Sequence, residues 1–392
     1  MSVEVHSLGC RLNISESEDM RALLREADDL VVINSCAVTA EAVRQTRQAI
    51  RRARRARPEA RIVVTGCAAE IERDALAAMP EVDGLVANGS KLDPRAWNAP
   101  LPAARERKAG YTRGFVQVQN GCDHACTFCV IPRGRGASRS RSLIEALEDI
   151  AVHVAAGVRE VVLTGVDLTS WGQDLPGTPR LGDLCTAILD RFPDLPRLRL
   201  SSIDGAEVDP RLFDLIAHEP RVMPHVHLSL QHGDDLILKR MKRRHSRADA
   251  LALVDGLRAR RPGLVVGADL MAGFPTEDEA AHAANLSIIA ELGVVHGHVF
   301  PYSARPDTPA ARMPAVDPAT IRRRARELRD AVSKERARWL AAQVGQPLWV
   351  LAEKDGTGHA ENFARVRLPQ GTVPGTVLCL TPAHVIEGIL EA

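Results

Sequence analysis

The stretch "GFVQVQNGCDHACTFC", residues 114–129, decides the reading of this chain. Its first residues read as a strand. Then comes a C-x3-C-x2-C run, Cys122, Cys126 and Cys129, with no fourth cysteine near. Three thiolates close in sequence can grip one metal centre from a single loop. A structural zinc site is closed and usually takes four ligands, and an iron–sulfur cluster is normally held by four cysteines. Three ligands therefore point to a 4Fe–4S cluster with one iron left open. The competing reading is a zinc loop completed by a distant His or Cys. His124 lies inside the run as a candidate fourth ligand, but too close to its neighbours to wrap easily.

Downstream, strand-like runs recur at "EVVLTGVD" (160–167), "RLRLSSI" (197–203), "HVHLSLQ" (225–231), "LVVGADLMAGF" (264–274) and "HVFPYS" (298–303), separated by amphipathic helical stretches. With the opening strand these make six βα units over 114–340. They suit a partial (β/α)6 version of the eight-unit barrel, whose active site lies on the loops after the strands. The cysteine run follows the first strand and should sit at the mouth.

Upstream, residues 1–95 repeat the same order. "VEVHSLGC", "LVVINSC" and "RIVVTGC" each read as a strand ending in a cysteine, Cys10, Cys36 and Cys67, with a helical pattern after each. This predicts an open parallel α/β sheet. Parallel strands put their C-terminal ends on one sheet edge, so three cysteines distant in sequence should meet there as a second cluster site. Each alone would read as a small buried residue.

Residues 96–113 carry proline and charge without apolar period and read as a linker. From 341 to 392, short β-rich runs broken by glycine and proline suit a small β-barrel. A helix over 318–343 joins it to the preceding barrel. Cys185 and Cys379 match no cluster motif and read as buried structural thiols. His225, His227, His232 and His245 have a spacing that suits alternating strand faces rather than a metal site.

Over 392 residues, 45% apolar content suffices for buried cores, and a net charge of +1 excludes a strongly polyionic protein. No apolar stretch is long enough to span a membrane, and the N-terminus lacks the order of a signal peptide. The chain is expected in the cytoplasm, where eight cysteines read as ligands or buried residues rather than disulfides. Basic residues nevertheless cluster at 44–57, 133–141, 239–247 and 322–329. Four such runs point to a polyanion, and 3% aromatics argue against binding by base stacking alone. A folded RNA gripped by its phosphates fits, with Arg47, Arg51, Arg54, Arg133 and Arg135 as candidate contacts.

These motifs resemble a family. "CDHACTFC" after the first barrel strand is similar to the signature of radical S-adenosylmethionine (SAM) enzymes, and "LGCRLN", "NSCAVT" and "TGCAAE" resemble the N-terminal cluster domain of the methylthiotransferases. The last 50 or so residues resemble a degenerate TRAM domain, an RNA-binding β-barrel of that family. "GCRLN", "VQNGCDHACTFC" and "VVLTGVDLTSWG" most resemble the branch that puts a methylthio group on C2 of threonylcarbamoyladenosine beside a tRNA anticodon. Sister branches modify isopentenyladenosine in tRNA or an aspartate of a ribosomal protein. Outside these classes stands a non-enzymatic iron–sulfur or zinc RNA-binding protein. Arg133 departs from the aromatic more usual at its position, and "QHG" at 231–233 is an unusual form of its loop.

The resemblance implies two 4Fe–4S clusters, on Cys122, Cys126 and Cys129 and on Cys10, Cys36 and Cys67. The first would split SAM to a 5′-deoxyadenosyl radical, and the second would carry the inserted sulfur. It places SAM across the barrel mouth, with Thr164 and Gly165 at the methionine amino group and Ser229 and Gln231 at the ribose. Gly267, Asp269 and Gly273 would lie near the adenine. Phe300 and Tyr302 are either core or flank a flipped adenine. The implied partners are a tRNA anticodon arm, an electron donor and a sulfur source, with no membrane.

Overall fold

The computed structural model describes residues 3–99 and 112–392. The centre of the linker expected over 96–113, residues 100–111, lies outside the described residues.

The first sheet holds four parallel strands in chain order: Glu4–Ser7, Leu30–Ser35, Arg61–Gly66 and Gly84–Leu85. All six residues of Leu30–Ser35 are buried, because helices cover both faces. Val31 and Ile33 pack with Val43, Ile50 and Ala53 of helix Ala40–Ala56. Leu30 and Val32 pack with Met20 and Leu24 on the other side. A strand buried on both faces reads as an unbroken apolar run rather than an alternating one. Thr39 caps helix Ala40–Ala56 by accepting from the Ala42 N–H.

The second unit is the expected parallel barrel sheet. Its strands are Arg113–Gln117, Glu160–Thr164, Arg197–Leu200 continued by Ser202–Ile203, His225–Gln231, Val265–Ala272 and Val294–Pro301. Every recorded pairing among them is parallel. One core joins strand residues such as Val116, Leu163, Leu198 and Val266 to the surrounding helices. The last strand begins at Val294, four residues before the alternation suggested. Gly297 breaks the apolar pattern there for a packing reason: a Cβ at this position would lie 2.6 Å from Val332 Cγ2. Helix Pro318–Gln343 can therefore lie directly on this edge strand.

At the opposite end from the cysteines, a six-stranded C-terminal sheet abuts the barrel. Its order is Val377–Leu380, Leu348–Ala352, Thr357–Ala360, Arg365–Arg367, Ile389–Glu391 and His384–Ile386. Arg197 donates to the carbonyls of His359 and Trp349, and Arg199 to those of Ala360 and Glu361. Glu160 pairs with Arg199 at 2.8 Å, both fully buried. Burial would raise the Glu160 pKa, but the charge and hydrogen bonds of Arg199 overcome it and hold the carboxyl at about 2. Phe363 stacks on His225 with ring centres 5.0 Å apart and closes the barrel floor. Cys185 is buried as expected. Cys379 corrects its expectation: it is exposed, because its strand is an edge of this sheet.

Candidate cluster and cofactor site

Each N-terminal cysteine sits just past a strand, at the C-terminal edge of the first sheet. Two sharp turns bring them there. Gly66 has φ +90°, and a Cβ on it would meet the Ser35 carbonyl oxygen at 2.4 Å. Gly9 has φ +92°, and a Cβ there would collide with Cys36 Cβ at 2.7 Å. Cys67 then opens the short helix Cys67–Ile71. Gly134, after the second cysteine run, has only 3.3 Å between its missing Cβ and the Cys67 Cβ, so the two cysteine-bearing segments pack directly together.

The result is one cavity of about 1010 Å³, lined by Cys10 and Cys36 and by Cys122, Cys126 and Cys129. Cys67 is 5% exposed and lies behind it. Burial pushes the Cys36 thiol up to about 11 and Cys129 to about 11, and Cys122 up to about 12. Deprotonating them is therefore coupled to the arrival of positive charge, as metal binding is. Backbone N–H groups are already aimed at two sulfurs: His124 N lies 3.4 Å from Cys122 Sγ and Ile131 N 3.4 Å from Cys129 Sγ.

Behind the N-terminal cysteines is a triad the sequence reading missed. Glu16 accepts from Lys91 Nζ at 2.6 Å and from Arg135 Nη1 at 2.9 Å, and all three side chains are at most 2% exposed. Two buried cations share one carboxylate. Both cations favour the Cys67 thiolate, against its burial. A buried excess positive charge is costly unless an anion faces it, and three thiolates on a cluster supply that anion. The donor set thus fits an iron–sulfur cluster on each side of the cavity.

His124 does not complete a zinc site with the three cysteines. Its Nε2 lies 2.6 Å from Asp167 Oδ2, and the hydrogen bonds to Asp167 and Glu207 raise its pKa to about 10. Cys122, His124 and Asp167 lie close enough to share an ion, but Cys126 and Cys129 stand outside that group. Arg243, from the basic run at 239–247, also turns inward. It bonds Asp204 Oδ2 at 2.9 Å and the Ser229 carbonyl at 2.7 Å, and its Nη1 lies 3.8 Å from Cys126 Sγ.

Of the residues expected at SAM, Thr164, Gly165, Ser229, Gln231 and Asp269 line the cavity. The Thr164 hydroxyl is buried without a hydrogen-bond partner, so it has a bond to offer. The two remaining glycines are not on the cavity's lining. The space beside Gly267 is taken by the His227 ring, 2.4 Å from a would-be Cβ, and that beside Gly273 by Ile321, also at 2.4 Å. Both make room for packing. Phe300 lines the cavity, whereas Tyr302 packs against Phe274 at 5.8 Å in the core. Asp269 Oδ1 meets His227 Nε2 at 3.1 Å and His298 Nδ1 at 3.2 Å. Burial would raise the Asp269 pKa, but these two bonds hold it below the usual carboxylate range. The alternation His225, His227, Ser229, Gln231 could have placed His227 on the cavity face.

The candidate RNA contacts are all engaged. Arg47 pairs with Glu72 at 3.2 Å, Arg51 with Glu81 at 3.8 Å, Arg54 with Asp83 and Arg133 with Asp307 at 3.0 Å. The first four remain partly exposed. Arg135 is corrected: its side chain is 2% exposed and held by Glu16, so a phosphate does not reach it.

The comparisons with known proteins agree with this layout. Residues 116–286 match the Radical SAM superfamily, and residues 2–87 match the Uncharacterized protein family UPF0004. The chain is 41% identical over 405 residues to the Threonylcarbamoyladenosine tRNA methylthiotransferase MtaB of Rickettsia prowazekii, covering 99% of this chain and 96% of that protein. It is 33% identical to the tRNA-2-methylthio-N(6)-dimethylallyladenosine synthase of Cereibacter sphaeroides, covering 90% and 87%. Among solved structures, the radical S-adenosylmethionine methyltransferase TsrM of Kitasatospora setae shares the fold at TM-score 0.55 and 19% identity, over 76% of this chain and 66% of that one. A relative this similar along nearly the whole length of both chains decides membership, and the chain belongs to the radical SAM tRNA methylthiotransferase family of enzymes.

Proposed function

We propose that this enzyme methylthiolates C2 of N6-threonylcarbamoyladenosine next to a tRNA anticodon, using SAM and two 4Fe–4S clusters. One observation carries the reading: cysteines from two separate sheets open onto one cavity. Cys122, Cys126 and Cys129 would hold the radical SAM cluster, and Cys10, Cys36 and Cys67 the second. When bound, the first cluster supplies the electron that cleaves SAM and the second carries the sulfur to be inserted. The chain's own part is placement. Gly66 and Gly9 set the sulfurs of the first sheet, Lys91 and Arg135 offset their charge, and the barrel wall keeps water from the reacting carbon.

The proposed division of labour follows the boundaries read from the sequence. Residues 1–95 form the second-cluster unit, 96–113 a linker, 114–340 the radical SAM unit and 341–392 a TRAM-like unit for RNA. The enzyme would work in the cytoplasm with an electron donor and a sulfur source. Among the described residues no helix is long and apolar enough to cross a membrane. Relatives named for dimethylallyladenosine keep a second substrate in view.

The test is mass spectrometry of tRNA nucleosides from cells with and without the protein. Loss of the 2-methylthio form of threonylcarbamoyladenosine is expected. Loss of the isopentenyl form instead, or no change in tRNA with a modified ribosomal protein, would move the enzyme to a sister branch. Anaerobically reconstituted protein should hold about eight irons, and zinc as the sole metal would sink both cluster assignments.

A further inference from the structure

Four arginines line the cavity: Arg135, Arg243, Arg329 and Arg336. Two are neutralised, Arg135 by Glu16 and Arg243 by Asp204. Arg329 and Arg336 differ. They lie two turns apart on one face of helix Pro318–Gln343, with Val332 and Ser333 between them on the same cavity wall. Among the described residues neither is in an ion pair. Arg329 Nη2 reaches only the Val299 carbonyl at 3.4 Å, and Arg336 Nη1 reaches His296 Nδ1 at 2.9 Å. His296 is no counter-ion, because burial and the Arg336 charge drive its pKa down to about 3 and keep it neutral. The acids that line the cavity are already engaged: Asp167 with His124, Asp204 with Arg243, and Asp269 with His227 and His298. Arg336 is half-buried and Arg329 is exposed at the cavity's rim. Two guanidinium groups beside one cavity, with no carboxylate partner among the described residues, make a site for an anion.

We propose that Arg329, Ser333 and Arg336, with His298 on the neighbouring strand, form a carboxylate-binding subsite for the threonyl group on the substrate adenine. This rests on the threonylcarbamoyladenosine reading above. A planar guanidinium matches a carboxylate in bidentate fashion, and Ser333 adds a hydroxyl donor. The methionine carboxylate of SAM has the same chemistry, but position argues against it. The cysteine loop that would hold the SAM-cleaving cluster follows the first barrel strand, and there Arg243 already stands beside Cys126. Arg336 stands lower, against His296, whose ring is 5.4 Å from both Trp339 and Phe363 of the barrel floor. An isopentenyl group carries no charge and would leave both guanidinium groups unmatched. The same wall therefore selects the acidic substituent and rejects the apolar one.

The test uses the reconstituted full-length enzyme and an anticodon stem-loop carrying threonylcarbamoyladenosine, either as the free acid or as its methyl ester. The wild type should prefer the acid by about ten- to a hundredfold in kcat/KM, the range of one lost charge-assisted hydrogen bond. Arg336→Gln and Arg329→Gln should each shrink that ratio toward one, with the loss in the KM for RNA, and Arg336→Lys should restore part of it. Equilibrium binding of the two stem-loops, read by fluorescence anisotropy, should show the same narrowing without turnover. An active wild type that treats acid and ester alike overturns the subsite alone. A rise in the KM for SAM matching that for RNA gives the carboxylate to SAM and also overturns it. A wild type inactive on the acid stem-loop yet active on an isopentenyl one removes the substrate reading itself.

Discussion

Glu16→Gln separates a structural role for the buried triad from an electrostatic one. Among the described residues Glu16 is the only carboxylate bonded to Lys91 and Arg135, at 2.6 and 2.9 Å. Removing its charge in the cluster-free protein leaves two buried cations facing each other, which should cost about 3–5 kcal/mol. That is a large part of an ordinary domain's stability, and urea unfolding of the apo-protein would read it. For cluster binding the sign reverses. Glu16 opposes the Cys67 thiolate, while Lys91 and Arg135 favour it. Taking away one negative charge on the order of 8 Å from an anionic cluster, at an effective dielectric of about 20, favours the bound state by about 2 kcal/mol. That corresponds to roughly thirtyfold in affinity. The assay is competition with an iron chelator, in a background where Cys122, Cys126 and Cys129 are all Ala so that only the N-terminal site counts. Glu16→Gln should lose iron more slowly than its parent despite its weaker fold, and Lys91→Met should lose it faster. If Glu16→Gln weakens fold and cluster together, the excess charge is not there for the cluster and the argument fails.

Three further outcomes follow from the same geometry. Gly66→Ala puts a Cβ 2.4 Å from the Ser35 carbonyl oxygen at φ +90°; strain of about 1–3 kcal/mol plus the clash should displace Cys67, halving iron content while the barrel cluster still cleaves SAM. Glu160 has its carboxyl held at about 2 against an ordinary 4.5, so its contribution is full above pH 4.5 and fades as pH falls toward 2; acid titration followed by Trp349 fluorescence should show the C-terminal sheet loosening in that window, and Glu160→Gln should abolish the transition. Changing Arg47, Arg51 and Arg54 together to Ala should lower the salt slope of tRNA binding by less than the 0.7–0.9 per contact expected of free arginines, because all three are paired with Glu72, Glu81 and Asp83; a fall of two or more would mean those pairs open to phosphate.

How much of this was legible follows from the range of each interaction. The strands were readable because burial on both faces of Leu30–Ser35 leaves an apolar run, and the alternation of His225–Gln231 survives in the letters. The cysteines were readable because βα order fixes which ends of the strands coincide. Val294 as a strand start was not, since Gly297 is small for the sake of Val332, thirty-five residues on. Nor were the partners of Glu16, which lie 75 and 119 residues away in sequence. Arg135 looked like one of a basic run, and only the fold turns it inward.

That contrast in the arginines bears on substrate choice. In the sequence, all of them compete equally for a phosphate. In the structure they sort by what neutralises them. Those on helix Ala40–Ala56 that were candidates for RNA face carboxylates of their own surface. Arg135 and Arg243 face buried acids beside the two cysteine sets. Arg329 and Arg336 line the cavity with no carboxylate partner among the described residues, although Asp269 lines the same space. An acid could have been placed opposite them at no cost to packing, since Ser333 between them is exposed. A Ser333→Glu variant supplies that acid within the helix. It should pair with Arg329 or Arg336 at the i,i+3 or i,i+4 spacing, leave the fold and iron content intact, and cut binding of the threonylcarbamoyl stem-loop at least as far as Arg336→Gln does. Undiminished binding in this variant would show that the charge on this wall is not what the substrate meets.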